Sequence, residues 1–366
     1  MDTLTDSRTP GIDAFLARAG DGWETAQRAP LGQDASTRRY IRLHREDGAT
    51  RLLMDAPPVE DDPCPPDADA ETRRRMGWNA MTRLAASRVE AFALISVHLR
   101  SLGLNAPEVF AFDADGGFAL IEDFGAGREF ARVIERSEAG ETELYTAAAR
   151  TLATLHAAPV PGVLEGQGQR WPILDFDAVA LAANADLYAD WLPVEAGGAA
   201  LTGAARAAWE AERDALIGQA MAFPRVFTLR DYHAENLLWL PGDRVGLLDF
   251  QDAVRGWDAW DMAMLTQDAR RAVSPDAAEA AIRTLLELTG SSREAFDERL
   301  AVIGALNALR IAGVFSRLQY RDGKARYGQF QPRQLSLLAR NLEHPALAGM
   351  RRFVQQTTPF VFGGQS

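Results

Sequence analysis

Cysteine is nearly absent from this chain. Cys64 is the single one among 366 residues, which excludes a disulfide framework and any cysteine-built metal centre. Lysine is equally scarce. Of 39 basic residues only Lys324 is a lysine, so a site that needs a cation for phosphate must use arginine. His44, His98, His156 and His344 have no spacing that gathers a metal. No run of about eighteen apolar residues occurs, so no membrane-spanning segment is expected. The opening residues, MDTLTDSRTP, carry neither the basic start nor the apolar stretch of a secretion signal. A cytoplasmic location is expected from these absences. The net charge of −12 argues against nucleic acid or an anionic membrane as a general partner. Nothing in the sequence specifies a protein partner. The length allows two domains, each with its own core.

The densest signal lies between Leu229 and Asp261. Asp231 precedes Asn236 by five positions, and Asn236 precedes Asp249 by thirteen. Two apolar runs, Leu237–Leu240 and 245–248, are joined by Pro241-Gly242-Asp243, a turn-forming set. The expected hairpin brings Asn236 and Asp249 together beside Asp231. Two oxygen ligands suit Mg²⁺, and the remaining carboxylate can accept the proton of an attacking hydroxyl. This is the equipment of phosphoryl transfer.

The flanking pattern predicts a small mixed lobe followed by a larger helical one. A short helix is expected over 11–19 and three strands over 23–55, with Asp47-Gly48 as a hairpin signal. Residues 56–70 are rich in Pro and Asp and predict a loop. Residues 71–88 predict a helical insertion. Helical spacing of Phe92, Ile95, Leu99 and Leu102 predicts a helix closed by Gly103. A hairpin over 109–121 ends the lobe near Glu122-Asp123-Phe124-Gly125. Helices are then expected at about 143–157, 175–191, 199–221, 259–271, 276–288, 293–317 and 333–342. The plan is α+β, with an N-lobe over 1–124 carrying the insertion at about 67–88 and a C-lobe over 125–366. It is kinase-like in outline.

The motif Asp231, Asn236 and Asp249, followed by Gly256-Trp257-Asp258 and Asp261, resembles the aminoglycoside phosphotransferase family of small-molecule kinases. Further matching segments are residues 32–40, 53–58, 120–125, 230–236, 248–253, 321–324 and 340–347. These flanking segments are similar to the branch of that family that phosphorylates amino sugars. The resemblance implies the two-lobed protein-kinase-like fold, with ATP and Mg²⁺ as cofactors and a small-molecule amino sugar as acceptor. It implies transfer of the γ-phosphate to the anomeric C1 hydroxyl of N-acetylmuramate or N-acetylglucosamine, giving an α-1-phosphate for peptidoglycan recycling. An aminoglycoside or other small-molecule hydroxyl kinase of the same fold, and a nucleotide-binding pseudokinase, are the alternatives.

Three departures from the family pattern stand out. Leu229 occupies the place where many such kinases have histidine. Gln251 replaces the glycine of the metal-binding triplet. The third strand, Arg51-Leu52-Leu53-Met54-Asp55, offers no phosphate-binding lysine. Arg38 and Arg39 are the available substitutes, with Arg39 the favoured one. Glu90 is either the ion-pair partner on the following helix or a carboxylate at that helix's N-terminus. The loop of Gly32 and Ser36 is expected to cover phosphate, and Glu122 and Phe124 to flank adenine at the lobe junction. Tyr232 and Trp257 are candidates for stacking on a sugar face, with core packing the alternative for Trp257. His233, Glu235 and Asp252 are further acceptor-side candidates, although His233 could instead order its loop. Residues 186–191 correspond to positions that shape the acceptor pocket in the family. Asp261 is expected to cap a helix or accept hydrogen bonds from the catalytic loop.

Overall fold

The alternation around Asp47-Gly48 produces the spine of the first part of the chain. This computed structural model describes residues 4–32, 38–58 and 63–363. A first helix, α1 (Leu4–Ala19), starts earlier than the expected residue 11. Strands β1 (Gln27–Pro30), β2 (Arg39–His44), β3 (Thr50–Asp55), β4 (Val109–Asp113) and β5 (Phe118–Glu122) form one antiparallel sheet in the order β1-β2-β3-β5-β4. Period-two alternation sends Leu43, Leu53 and Leu120 to one face, where Ile12, Phe15 and Leu16 of α1 cover them. At the β4–β5 turn Gly117 has φ +70°, and a Cβ there would lie 2.0 Å from the carbonyl oxygen of Ala56. Only glycine lets these two chain segments cross.

The insertion is two helices rather than one. Gly77, at φ 96°, separates α2 (Ala70–Met76) from α3 (Trp78–Thr82). The predicted helix follows as α4 (Val89–Ser101), and Gly103 at φ 79° ends its turn. Its apolar stripe packs with Met54 and Ile121 from the second face of the sheet.

Beyond β5 come α5 (Phe130–Glu135) and α6 (Glu141–Ala157), then a hairpin of β6 (Val163–Gly166) and β7 (Gln169–Pro172). Helices α7 (Ala178–Glu195) and α8 (Gly203–Met221) precede β8 (Arg225–Thr228). The expected hairpin is β9 (Leu237–Leu240) and β10 (Arg244–Leu247). Strand β11 (Val254–Trp257) returns to pair with β8. The chain finishes with α9 (Trp260–Thr266), α10 (Pro275–Thr289), α11 (Arg293–Tyr320), α12 (Gln331–Asn341) and α13 (Ala348–Thr357).

The β6–β7 hairpin and the β8–β11 pair were not anticipated, because each strand has four residues and β8 and β11 find each other only in three dimensions. Helix α9 stops at Thr266 instead of 271. One continuous core runs from Met54 through α6, α7, α9 and α11 to Val361. Helix α11 is long and apolar enough to cross a membrane by length and composition, yet 72% of its apolar window is buried inside the protein. It crosses α7 so closely that a Cβ on Gly313 would lie 2.2 Å from the backbone of Leu187.

Candidate active site

The loop between β8 and β9 carries the proposed base. Arg230 has φ 77°, a conformation that costs a non-glycine residue about 1–3 kcal/mol. The surroundings hold it there. Asp261, fully buried at the start of α9, accepts the backbone N–H groups of Leu229 at 2.7 Å and Arg230 at 2.8 Å. The indole N–H of Trp260 donates to the Arg230 carbonyl at 3.1 Å. The loop-accepting role expected for Asp261 is therefore present. Burial raises its carboxyl to a pKa of about 7, against the opposing pull of the two N–H donors. Asp231, the next residue, is half-buried at the wall of a cavity.

The amide of Asn236 is oriented by its neighbours. Its Nδ2 donates to the Asp231 carbonyl at 2.9 Å and lies 3.3 Å from His233 Nε2. Arg270 Nη1 approaches the same Nε2 at 3.2 Å. Two donors facing one ring nitrogen make it the acceptor of a neutral imidazole. Burial and then the Arg270 charge lower the His233 pKa in the same sense. With its nitrogen engaged, Asn236 has Oδ1 left to offer a cation. The Leu248 N–H donates to the Asn236 carbonyl at 3.0 Å and carries the hairpin round to Asp249. Asp249 sits at φ 56°. Its Oδ1 accepts Arg38 Nη2 at 2.7 Å and Gln251 Nε2 at 3.0 Å. Gln251, standing in the glycine's place, thus steadies the proposed metal ligand.

The insertion docks on this loop. Arg230 Nη1 donates to the carbonyls of Thr82 at 3.1 Å and Arg83 at 2.9 Å. The Ala85 N–H donates to Asp252 at 2.6 Å. Arg73, buried in α2, bonds the carbonyls of Ala80 and Met81 and the carboxylate of Asp177. Asp177 is also the N-cap of α7. Residues 70–85 therefore bridge the head of α7 to the catalytic loop.

The remaining sequence candidates fall in several places. Ser36 lies outside the described residues; Gly32 is exposed after β1. Arg39 stands opposite Asp55 in the β2–β3 register and bonds its buried carboxylate, which Arg8 holds from the other side at 2.6 Å. Arg38, not Arg39, is the arginine on the Asp249 carboxylate. Glu122 and Phe124 line a groove of about 490 Å³ at the β5–α5 connection. Asp123 between them is gripped by Arg42 Nε and Nη2 at 2.6 and 2.9 Å. Glu90 is 3.4 Å from Arg88. Glu235 is half-buried within the field of Arg132.

Two candidates for sugar stacking are corrected. Tyr232 is buried, and its hydroxyl donates to the Ala148 carbonyl on α6 at 2.9 Å. Trp257 is fully buried against Phe176 and Trp260. Burial of large rings in the core outweighs any surface role here. Asp186 and Asp190 are engaged by Arg206 and Arg213 of α8 rather than by the cavity.

That cavity, of about 130 Å³, is lined by Asp231, His233, Asp268, Arg270 and Arg310, with Met264, Ile311 and Phe315 as apolar wall. Arg270, Arg310 and Asp268 were missed. One signal was available: Arg310 is the only charged residue between 301 and 315, an otherwise apolar stretch of α11.

Asp231, the Asn236–Asp249 pair beside it and the adjoining cavity are an arrangement that suits phosphoryl transfer. Residues 27–298 match the profile described as the phosphotransferase enzyme family, and the chain belongs to that family. It is 43% identical over 363 residues to the N-acetylmuramate/N-acetylglucosamine kinase of Caulobacter vibrioides, spanning 98% of each chain. With the kinase of the same name from Pseudomonas aeruginosa the identity is 30%, over 88% of this chain and 85% of that one. Among solved structures, a choline/ethanolamine kinase family protein from Mesorhizobium loti superposes with a TM-score of 0.57 at 18% identity, covering 95% of this chain and 99% of that one. The ADP-bound aminoglycoside phosphotransferase APH(2'')-Ib gives 0.51 at 12% identity, covering 85% and 94%. These likenesses establish the two-lobed, protein-kinase-like α+β fold.

Proposed function

We propose that this protein is an ATP-dependent kinase of the anomeric C1 hydroxyl of N-acetylmuramate and N-acetylglucosamine. The observation that carries the reading is the catalytic loop. Asp231 follows a strained residue pinned by a buried carboxylate, beside an amide and a second carboxylate. The near full-length relationship to a kinase of these two sugars supports the choice of acceptor. The C1 oxygen attacks the γ-phosphorus, the bond from that phosphorus to the bridging oxygen breaks, and ADP leaves. Asp231 accepts the hydroxyl proton. The product is the sugar α-1-phosphate, the form in which wall-derived sugars re-enter synthesis in the cytoplasm.

The oxygen donors left on Asn236 and Asp249 suit Mg²⁺, which would neutralise charge on the phosphates when bound. Arg38 replaces the family lysine in this reading. Its guanidinium already meets Asp249, where phosphate oxygens compete for the same donors. Arg39 serves the sheet instead. Glu122 and Phe124 flank the nucleotide base, and the loop of Gly32 and Ser36 covers its phosphates. The cavity beside Asp231 holds the acceptor. His233 acts by ordering Asn236, and Asp252 by joining the insertion to the metal end.

The test is product analysis by phosphorus NMR after incubation with Mg-ATP and N-acetylglucosamine, N-acetylmuramate, choline or kanamycin in turn. An α-1-phosphate doublet from either amino sugar is expected. Turnover of kanamycin or choline alone would replace the sugar reading, and nucleotide binding without any turnover would favour a pseudokinase.

A further inference from the structure

Most buried or half-buried arginines in this protein meet a carboxylate. Arg73 meets Asp177, Arg213 meets Asp186, and Arg299 on α11 meets Asp258 at 2.9 Å. Arg310, also on α11 and half-buried, differs. Among the described residues its hydrogen bonds go to the amide oxygen of Asn307, from Nε at 3.1 Å and Nη2 at 2.8 Å. An amide oxygen leaves the guanidinium's full charge unneutralised. Burial lowers the Arg310 pKa to about 10, outweighing the opposing charge of Asp231 across the cavity. Arg270 has no carboxylate within ion-pair distance of its guanidinium among the described residues either; that group meets His233 Nε2. Both arginines line the cavity that Asp231 lines.

We propose that Arg270 and Arg310 form an anion subsite of the acceptor pocket that reads a carboxylate on the sugar and makes an acidic N-acetylhexosamine the better substrate. The inference rests on the sugar-kinase reading given above. N-acetylmuramate differs from N-acetylglucosamine by a lactyl ether on O3, which ends in a carboxylate. Asp249 and the nucleotide-facing residues lie outside this cavity's lining, so the two arginines stand on the acceptor side of Asp231. Asp231 and Asp268 supply acceptors for sugar hydroxyls in the same space. Asp268 Oδ1 takes the Arg270 backbone N–H at 2.8 Å, which fixes the backbone from which the Arg270 side chain reaches. Met264, Ile311 and Phe315 offer an apolar wall for the ring's C–H face and the acetamido methyl.

The experiment compares kcat/KM for the two sugars in the wild type, Arg270→Gln and Arg310→Gln. A charge-assisted hydrogen bond is worth about 1.5–3 kcal/mol, so each substitution is expected to lower N-acetylmuramate turnover about ten- to a hundredfold more than N-acetylglucosamine turnover. The loss should sit chiefly in KM for the acidic sugar. Arg270→Lys, which keeps the charge on an exposed residue, should recover part of it. Arg270 is exposed, so its variants keep the test open if Arg310→Gln does not fold. Equal losses on both sugars would overturn the proposal and assign the arginines to the phosphoryl group or the loop. No loss on either sugar would overturn it as well. A wild type that phosphorylates neither sugar would instead refute the sugar-kinase reading itself.

Discussion

In the catalytic loop, Arg230 gives its guanidinium to the carbonyls of Thr82 and Arg83 and its backbone N–H to Asp261. On the cleft face of β2 and just before it, Arg42 and Arg38 give theirs to the carboxylates of Asp123 and Asp249. The first set is buried and ends largely on backbone. The second ends on side chains: the Asp123 carboxylate is buried, whereas that of Asp249 is 38% exposed. Carbonyl acceptors in a buried loop have no competitor, so they fix geometry. An ion pair open to solvent is worth little by itself and can be exchanged for phosphate oxygens. One end of the site is therefore built as scaffold, and at the other the Arg38–Asp249 contact is the replaceable one. The insertion belongs to the scaffold end, although it precedes α4 in the sheet-bearing half of the chain.

The largest test of this contrast is Asp231→Asn. Removing a general base costs about 10²–10⁴ in rate, and the loss should appear in kcat while nucleotide affinity, measured by calorimetry, stays within about threefold. Turnover near the wild-type rate would place the base elsewhere and leave the scaffold without a purpose. The second test pairs Arg38→Ala with Arg39→Ala. Arg38→Ala should raise KM for ATP about tenfold to a hundredfold, as expected for a lost contact to a charged group. Arg39→Ala should leave KM for ATP within a few-fold and lower the melting temperature, because among the described residues the buried Asp55 carboxylate would keep Arg8 alone as ion-pair partner. The reverse pattern would return the phosphate role to Arg39.

Legibility from sequence follows the same division. The hairpin could be read because its signals are local: turn residues between short apolar runs and polar groups at fixed offsets. Five strands of the sheet and most helices were legible for similar reasons. The partner of Arg39 was not, because Arg39↔Asp55 is a matter of strand register. Tyr232 and Trp257 misled because an aromatic ring beside a catalytic motif has the same letters whether it faces sugar or core. The insertion's role was hidden by distance. The carbonyl of Arg83 lies 147 positions from the arginine that binds it, and no side chain on the accepting strand of chain takes part. Arg310 left a trace as a lone charge in an apolar helix, but its cavity is assembled from α9, the loop after it and α11.

A smaller effect is expected from Arg230→Met, which tests the insertion's part in the scaffold. Two buried carbonyls would lose their donor at about 1–3 kcal/mol. The substitution should lower thermal stability and reduce kcat several-fold with KM for ATP little changed. A change confined to KM for ATP would mean that the insertion serves the nucleotide and not the loop.

The smallest effect concerns the carboxylate under the loop. Asp261 has an ordinary carboxyl value of 3.8 when unfolded and about 7 in the folded protein. Folding therefore takes up a proton between those limits, so this group's contribution to stability is full below about 3.8 and lost as the pH rises through about 7. Asp261→Asn keeps the size of the side chain and removes the titration. The melting temperature of the wild type relative to Asp261→Asn should be highest at or below about pH 4 and decline toward about pH 8. A difference that is flat, or that grows with pH, would show the carboxylate ionised throughout. The N–H groups of Leu229 and Arg230 would then outweigh burial, and the scaffold end of the site would depend on charge as much as the exchangeable end does.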